Sequence, residues 1–164
     1  MIKVEVRRTR LQDINLIAEF INKSRSPARR LTPLAIAERF SEVGFLLAEY
    51  KGQPVGLIGW QVENLVVRVT DFLIAPAIDR VIAGRALISK MEQSAQQLQA
   101  EAAILFLPPH PSQEIVDFWE FFDYARRPVS SLNKNWREVA EEWHPDSQEV
   151  MLKAFRERIV HRPI

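Results

Sequence analysis

The 164-residue sequence contains no cysteine. Disulfide bonds, thiolate metal ligands and a cysteine nucleophile are therefore excluded, and the composition agrees with a reducing compartment. The first residues alternate apolar with charged side chains and lack the apolar core of a signal peptide. No apolar run approaches the length of about 18 residues that a membrane helix needs. We therefore expect a cytoplasmic protein without a membrane partner.

The sequence also lacks an excess of positive or negative charge. The 22 basic and 21 acidic residues leave a net charge of +1, which argues against a nucleic-acid ligand because proteins that bind one carry clustered positive charge. The histidines His110, His144 and His161 are far apart in the chain and lack metal-ligand spacing. Nucleophile-elbow, phosphate-loop and dinucleotide-binding motifs are absent. We predict no metal site and no nucleic-acid partner.

The residues that are present indicate an ordinary globular chain. Hydrophobic residues make up 47% of it and charged residues 26%, which is enough apolar surface to form a core. A chain of this length predicts a single domain over residues 1–164. Its last part, from about 133, is patterned less clearly, and the segment around Leu152 fits a strand or a helix.

Hydrophobic periodicity predicts the order of the elements. Strands are expected at 2–6, 45–50, 54–62, 65–74 and 102–107, and helices at 9–23, 32–44, about 80–100, 113–122 and 136–143. Thr9 and Gln12 form a candidate capping box, and Gly52 is the candidate positive-φ residue of a hairpin. A further short strand is expected at 129–132. This order predicts an α/β or α+β sheet with helices on both faces.

The junction from Phe72 to Leu87 is the most informative segment. An apolar strand ends at Pro76, which cannot donate to a ladder, and a helix follows after a short turn. The first N–H groups of a helix have no partner inside it, and the helix dipole places partial positive charge there. Such a junction can hold a phosphate group. A plain connection between strand and helix is the alternative.

Three local patterns resemble those of the GNAT superfamily of acyl-CoA N-acyltransferases. The first follows the family's strand, turn and pyrophosphate-binding helix: Phe72, Ile74, Pro76, Gly84, Ala86 and Leu87. The second is FWEFFDY at 118–124, similar to a helix end that often reads F-Y-x-x-x-G-F, and the third is an early strand followed by two helices. The resemblance covers most of residues 1–135. It implies a mixed, mostly antiparallel central sheet and acetyl transfer from acetyl-CoA to an amine.

The resemblance assigns the acetyl-CoA site to this junction. It implies that backbone groups of Phe72, Leu73 and Ile74 pair with the pantetheine arm. It also implies that the helix start holds the pyrophosphate, through Arg80, Val81, Ile82, Ala83, Gly84, Arg85 and Ala86. The family pattern is Q/R-x-x-G-x-G/A, whose defined positions are Asp79, Ile82 and Gly84 here. A carboxylate at Asp79 repels an anion, whereas Arg80 and Arg85 can attract it or remain solvated.

The resemblance also implies a carboxylate that receives a proton from the amine and a tyrosine that protonates the thiolate. Trp119 occupies the family's tyrosine position, and its indole cannot act as an acid near neutral pH. We therefore name Tyr124 as the candidate acid, with core packing as the alternative. The family's acidic position falls near Arg68, where the nearest carboxylates are Asp71 and Glu63. We name Asp71 as the candidate base, with loop capping as the alternative.

The acceptor is expected to be a small-molecule or peptide amine. Arg25, Arg29 and Arg30 lie in the loop that borders the acceptor pocket in the family, so they either recognise an anionic acceptor or form a solvated basic loop. Trp136 and Trp143 share one face of a late helix and either pack onto the domain or contribute to a possible homodimer. The alternative to an enzyme is a binding or regulatory module of the same fold that has lost catalysis.

Overall fold

The structure, a computed structural model, describes residues 2–40 and 43–156. Its strands are β1 (Glu5–Arg8), β2 (Gly44–Tyr50), β3 (Gln53–Glu63), β4 (Val66–Ile74), β5 (Ala102–Phe106), β6 (Ala125–Pro128) and β7 (Glu149–Ala154). Its α-helices are α1 (Ile14–Asn22), α2 (Pro33–Phe40), α3 (Arg80–Gln97), α4 (Gln113–Phe121) and α5 (Lys134–Trp143). Short 3-10 turns occur at Leu11–Asp13, Pro27–Arg29 and Val129–Ser131.

The strands form a sheet in the order β1-β2-β3-β4-β5-β7-β6. Antiparallel ladders join β1 to β2, β2 to β3, β5 to β7 and β6 to β7, whereas β4 and β5 are parallel. This confirms the predicted mixed, mostly antiparallel sheet. No helix of residues 2–40 and 43–156 combines the length and the apolar character needed to cross a membrane.

The chain divides into two compact units, and β3, β4 and α3 each contribute residues to both. Of the described residues, the first unit comprises those up to Gln61 together with Thr70–Met91, and the second comprises Val62–Val69 and those from Glu92 onward. The expectation of a single domain stays a prediction.

Helices lie on both faces of the strands in the first unit. Leu47 pairs with Leu57 and Ala48 with Gly56 across β2 and β3, and neighbouring residues of a strand point to opposite faces. Leu47 and Leu57 belong to a core cluster with residues of α1 and α2. On the other face, a Cβ atom placed on Gly56 would lie 2.8 Å from Leu87 of α3. Glycine therefore permits the close approach of α3 to this sheet face.

The second unit has the same layered arrangement. Ile104 pairs with Leu152 and Ala103 with Lys153 across β5 and β7. Ile104 and Leu152 pack with α5 in one core cluster, whereas Lys153 forms an ion pair of 3.0 Å with Glu92 of α3. These contacts put α5 and the end of α3 on opposite faces, which confirms the prediction of helices on both sides.

The predicted capping box at Thr9 and Gln12 is wrong by one residue. The hydroxyl of Thr9 donates to the carbonyl of Phe45 at 3.3 Å. The backbone N–H of Arg10 instead donates to Oδ2 of Asp13 at 2.7 Å. The side chain of Asp13 therefore accepts the free N–H at the start of this turn, whereas the Asp13 N–H donates to the backbone carbonyl of Arg10 at 2.8 Å.

Two other sequence expectations are settled by the C-terminal strands. The segment 129–132 was expected to form a strand, but it begins with the 3-10 turn Val129–Ser131, and the strand is the preceding β6. The segment around Leu152 is the strand β7, one of its two predicted alternatives. Gly52 has a φ of +76°, as the predicted hairpin required.

Candidate functional site

A cavity of about 240 Å³ opens beside β4 in the first unit. Its lining combines an apolar base with three polar side chains: Ile21, Ser24, Arg25, Leu57, Asp71, Phe72 and Leu73. The cavity therefore brings together the candidate base Asp71, part of the predicted pantetheine-binding strand, and one arginine of the predicted acceptor loop. Arg25 and Leu73, which both line the cavity, are 48 positions apart in the sequence.

Asp71 is held through one of its two carboxylate oxygens. Arg39 of α2 forms an ion pair with Oδ2, and the hydroxyl of Thr70 donates to the same oxygen at 2.8 Å. None of the described residues donates to Oδ1. The described part of the chain also leaves no buried side-chain oxygen without a partner, so Oδ1 is reached by solvent. The Asp71 side chain is 19% exposed and can therefore meet a ligand through Oδ1.

Gly59 makes room for this arrangement. A Cβ atom placed there would lie 2.7 Å from Oδ2 of Asp71, 2.8 Å from the hydroxyl of Thr70 and 2.9 Å from the ring of Phe45. These distances are shorter than van der Waals contact, so a side chain at this position would displace the carboxylate. The guanidinium of Arg39 lies 5.9 Å from the centroid of the same Phe45 ring, which adds a cation–π contact that orients the arginine.

The loop that carries Arg25 is fixed by Asn22 at the end of α1. The Asn22 amide donates to the carbonyl of Leu31 at 2.8 Å and accepts from the Leu31 N–H at 2.8 Å. Arg25 itself donates to the carbonyl of Arg29 at 3.1 Å. Arg25 lines the cavity, whereas Arg29 and Arg30 are exposed and are not among its lining residues.

The strand β4 extends beyond the residues that pair with β5. The ladder includes Val66, Val67 and Arg68, which pair with 102–104, and β4 then continues to Ile74. Arg68 lies near the position that the resemblance gives to an acidic residue, and its guanidinium lies over the rings of Phe106 and Trp143, at 5.6 and 5.8 Å. Arg68 therefore packs against aromatic rings, and the carboxylate of this strand is Asp71.

The helix α3 begins with a carboxylate cap. Oδ1 of Asp79 accepts from the backbone N–H of Val81 at 2.9 Å and from that of Ile82 at 3.0 Å. The carbonyl of Asp79 accepts from the N–H of Ala83 at 3.1 Å. Three successive amides of the predicted pyrophosphate site are therefore bonded to one residue of the chain. Gly84 is buried, and Arg80 and Arg85 are exposed.

Tyr124 belongs to a polar network in the second unit. Its hydroxyl donates to Oε2 of Glu92 at 2.8 Å, and Lys153 donates to Oε1 of the same carboxylate at 3.0 Å. Burial raises the pKa of Tyr124 well above its usual range, and the nearby Glu92 charge and hydrogen bond raise it further. Trp119 packs edge-on against Tyr124 with ring centroids 5.1 Å apart. Both aromatic residues are almost fully buried.

A larger cleft of about 500 Å³ lies at the end of β5 in the second unit. His110 and His144 both line it, although they are far apart in the sequence, and His161 lies outside the described residues. Arg126 and Glu149 form a two-bond ion pair in the same lining, at 2.8 and 2.7 Å. Among the residues that the structure describes, no group of three or more His, Cys, Asp or Glu side chains is placed to hold a metal ion.

Sequence reasoning missed the residues that hold these sites in place. Arg39 and Thr70 orient Asp71, Asn22 fixes the Arg25 loop, and Glu92 and Lys153 bind Tyr124. Most of these contacts join residues that are distant in sequence, so no local pattern reveals them. The Asp79 cap was visible in principle, because aspartate directly before a helix is a common cap.

No protein-family model matches the sequence, and no curated protein matches it. Solved structures do match the fold. An N-acetylglutamate synthase from Neisseria gonorrhoeae, complexed with coenzyme A and N-acetyl-glutamate, has a TM-score of 0.70 and 13% identity. The match covers 96% of this chain and 36% of that protein, so this chain spans about a third of its length.

Two shorter proteins match over nearly their whole length. A GNAT-family acetyltransferase from Staphylococcus aureus Mu50 has a TM-score of 0.70 and 12% identity, with coverage of 94% of this chain and 100% of that one. The PaiA N-acetyltransferase from Thermoplasma acidophilum, in complex with coenzyme A, has a TM-score of 0.67 and 13% identity, with coverage of 93% and 99%. The chain therefore has the GNAT fold, as its sequence patterns predicted.

Proposed function

We propose that this chain is an acyltransferase that moves an acetyl group from acetyl-CoA to an amine, with the cavity at Asp71 as the acceptor site. The proposal is supported by the GNAT fold, which two of the similar proteins above combine with bound coenzyme A. The observation that carries it is the Asp71 carboxylate, which has one oxygen fixed by Arg39 and Thr70 and the other open to solvent in a cavity.

Acetyl transfer from a thioester needs an uncharged amine. The amine nitrogen attacks the thioester carbonyl carbon, so that a C–N bond forms, the C–S bond breaks and the nitrogen loses a proton. We assign that proton to Oδ1 of Asp71. Because Arg39 and Thr70 both bind Oδ2, the carboxylate is fixed in one orientation and Oδ1 is left as the oxygen that can take up the proton. A fixed acceptor of this kind lowers the cost of orienting the reacting groups.

The two halves of the predicted acetyl-CoA site fit the donor differently. The backbone of Phe72, Leu73 and Ile74 is extended at the end of β4, which suits an extended pantetheine arm. The amides of Val81 and Ile82 do not fit a diphosphate as they stand, because they are bonded to Asp79. We therefore assign the thioester and pantetheine to β4 and assign no step to the start of α3.

The departing thiolate needs a proton, and the family resemblance implies Tyr124 as its source. In the structure the phenol donates to Glu92, so it would have to break that hydrogen bond before it could donate elsewhere. Its raised pKa also makes the phenol a weaker acid than free tyrosine. The catalytic role of Tyr124 therefore stays a prediction.

The cavity also favours a class of acceptor. A volume of about 240 Å³ suits a small molecule, and Arg25 in its lining supplies a guanidinium that can bind an anionic group. We propose a small amine that also carries a carboxylate or phosphate. The cytoplasmic location and the possible homodimer stay predictions from the sequence.

An acceptor panel tests the proposal. The purified full chain is incubated with acetyl-CoA and with amines that differ in charge, and free thiol and acetylated product are both measured. We expect thiol release that depends on the amine, with acidic amines better than neutral ones of equal size. Binding of acetyl-CoA without acetylation of any amine would instead favour the binding or regulatory module.

A further inference from the structure

The backbone amides at the start of α3 already bind an anionic group of the chain, the carboxylate of Asp79. One carboxylate oxygen of Asp79 accepts from the amides of Val81 and Ile82, at 2.9 and 3.0 Å, and the Asp79 carbonyl accepts from the Ala83 amide at 3.1 Å. The Val81 and Ile82 amides are donors that a helix start offers to a bound phosphate, whereas the Ala83 amide makes the first hydrogen bond within the helix. The Asp79 carboxylate uses the same donors and carries the same sign of charge as a phosphate.

Binding of a diphosphate at this position would carry two free-energy costs. It would have to displace the carboxylate from two amides, and the displaced negative charge would remain beside it. The side chains of Val81 and Ile82 are 38% and 37% exposed, so they add apolar surface at the same helix start. Apolar surface cannot replace the hydrogen bonds that a phosphate loses when it leaves water.

We infer that this chain recognises its acyl donor through the thioester and the pantetheine arm and gains little from the diphosphate and nucleotide of coenzyme A. The inference rests on the proposed function. It names the donor class as acyl thioesters of pantetheine, of which acetyl-CoA is one and acetyl-pantetheine, without phosphate, is another. Asp79 is then the residue that determines this specificity, because it occupies the amides that would otherwise favour the larger donor.

The experiment compares kcat/KM for acetyl-CoA and acetyl-pantetheine in the wild-type chain and in two variants. Asp79→Gly frees the amides and keeps a residue that is acceptable at a helix start. Asp79→Asn is the matched control, because its side-chain oxygen still accepts from the amides although the charge is gone. Circular dichroism and thermal unfolding of each variant show whether the helix and the fold remain.

In the wild-type chain we expect the two donors to differ by no more than about threefold in kcat/KM, because the nucleotide adds few contacts. Asp79→Gly should raise kcat/KM for acetyl-CoA by about tenfold and leave acetyl-pantetheine unchanged, since only the former carries a diphosphate. Asp79→Asn should give a smaller gain than Asp79→Gly.

A preference of the wild-type chain for acetyl-CoA of about thirtyfold or more, unchanged in Asp79→Gly, would overturn the inference and leave the proposed function intact. Failure of all three proteins to transfer acetyl from either donor would overturn the proposed function, and the inference with it. The two kinds of failure are therefore distinguishable.

Discussion

Arg39 on α2 donates to Oδ2 of Asp71 on β4, 32 residues further along the chain. The pair lies on the face of the sheet that α1 and α2 cover, next to the ring of Phe45. Its two side chains are 36% and 19% exposed, so it is neither a solvated surface pair nor a buried one. Its main consequence is geometric, because it determines which oxygen of Asp71 is bonded within the chain and which one a ligand can reach.

Arg39→Gln is expected to lower kcat for acetyl transfer by about tenfold to a hundredfold with little change in KM, because the base loses its orientation but the acceptor contacts remain. Arg39→Lys should recover part of the lost activity, since lysine keeps the positive charge but lacks the planar guanidinium group of arginine. The measurement is steady-state kinetics on both variants. An unchanged kcat in Arg39→Gln would mean that Asp71 needs no positioning.

Gly59→Ala should disturb the same carboxylate from the opposite strand. The added methyl group would lie 2.7 Å from Oδ2 of Asp71 and 2.8 Å from the hydroxyl of Thr70. We expect a loss of about 1–3 kcal/mol in the free energy of unfolding, from overpacking, together with a loss of activity in the protein that remains folded.

Gly52→Ala is the control for that experiment. Gly52 has a positive φ of +76°, but none of the described residues, apart from the chain neighbours of Gly52, has an atom within 4 Å of an added Cβ. Its substitution should destabilise the hairpin by about 1 kcal/mol through backbone strain and leave activity unchanged. Equal activity losses in the two variants, measured at a temperature where both are folded, would show that Gly59 acts through general stability alone.

Tyr124→Phe separates a structural role from a catalytic one. The substitution removes the donor to Glu92 while Lys153 still pairs with that carboxylate. We expect the free energy of unfolding to fall by about 1–2 kcal/mol and kcat to fall by less than about tenfold. Tyr50→Phe, at the chain's other tyrosine, is the control. A drop in kcat of about a hundredfold or more in stable protein would restore Tyr124 as the proton donor.

Asp13 should make stability depend on acid pH. Its pKa is lowered chiefly because Arg7 donates to both carboxylate oxygens, at 2.9 and 3.0 Å, and also because the Arg10 N–H donates to it. A lowered pKa in the folded state gives stability that is present above the unfolded-state pKa of about 3.9 and lost as pH falls through the lower folded-state value.

Asp13→Asn should therefore cost about 1–3 kcal/mol at pH 7, and the difference from wild type should shrink between about pH 4 and pH 2. Urea unfolding at several pH values measures it. Exposed Asp117→Asn on α4, whose side chain contacts exposed Gln113, is expected to have little effect at any of them. If the free energies of unfolding of the wild type and Asp13→Asn differed equally at both ends of the pH range, the account would be contradicted.

The sequence revealed the elements whose side chains repeat regularly. The apolar positions of α3, from Ala83 to Ala95, follow from the geometry of a helix, whereas the segment around Leu152 fitted both a strand and a helix and needed the structure to decide. The capping residues were misplaced by one position, because the Thr9 hydroxyl is bonded to Phe45 of β2 and Asp13, not Gln12, accepts from the backbone N–H at the start of the turn. Boundaries of this kind depend on tertiary contacts.

The candidate site was only partly predictable. Asp71 was named because it is one of the carboxylates nearest the position that the resemblance gives to an acidic residue, and Arg25 because it lies in the loop that borders the acceptor pocket in the family. Their meeting in one cavity depends on how α1 and its loop pack against β4, and the contribution of Arg39 depends on α2. No sequence periodicity encodes a contact between side chains 32 positions apart. Asp79 was recognised as unfavourable for an anion, but its two bonds to backbone amides required the structure.

The most direct test is the rate of amine-dependent thiol release by Asp71→Asn, compared with the wild-type chain and with the Asp117→Asn control. The side-chain amide of this variant is nearly identical in shape to the Asp71 carboxylate, but it cannot take up the proton of the amine. The account predicts that kcat falls by about a hundredfold or more in Asp71→Asn and stays unchanged in Asp117→Asn, with both variants as stable as the wild type to within about 1 kcal/mol. A wild-type rate retained by Asp71→Asn, or no release by the wild-type chain with any amine, would contradict it.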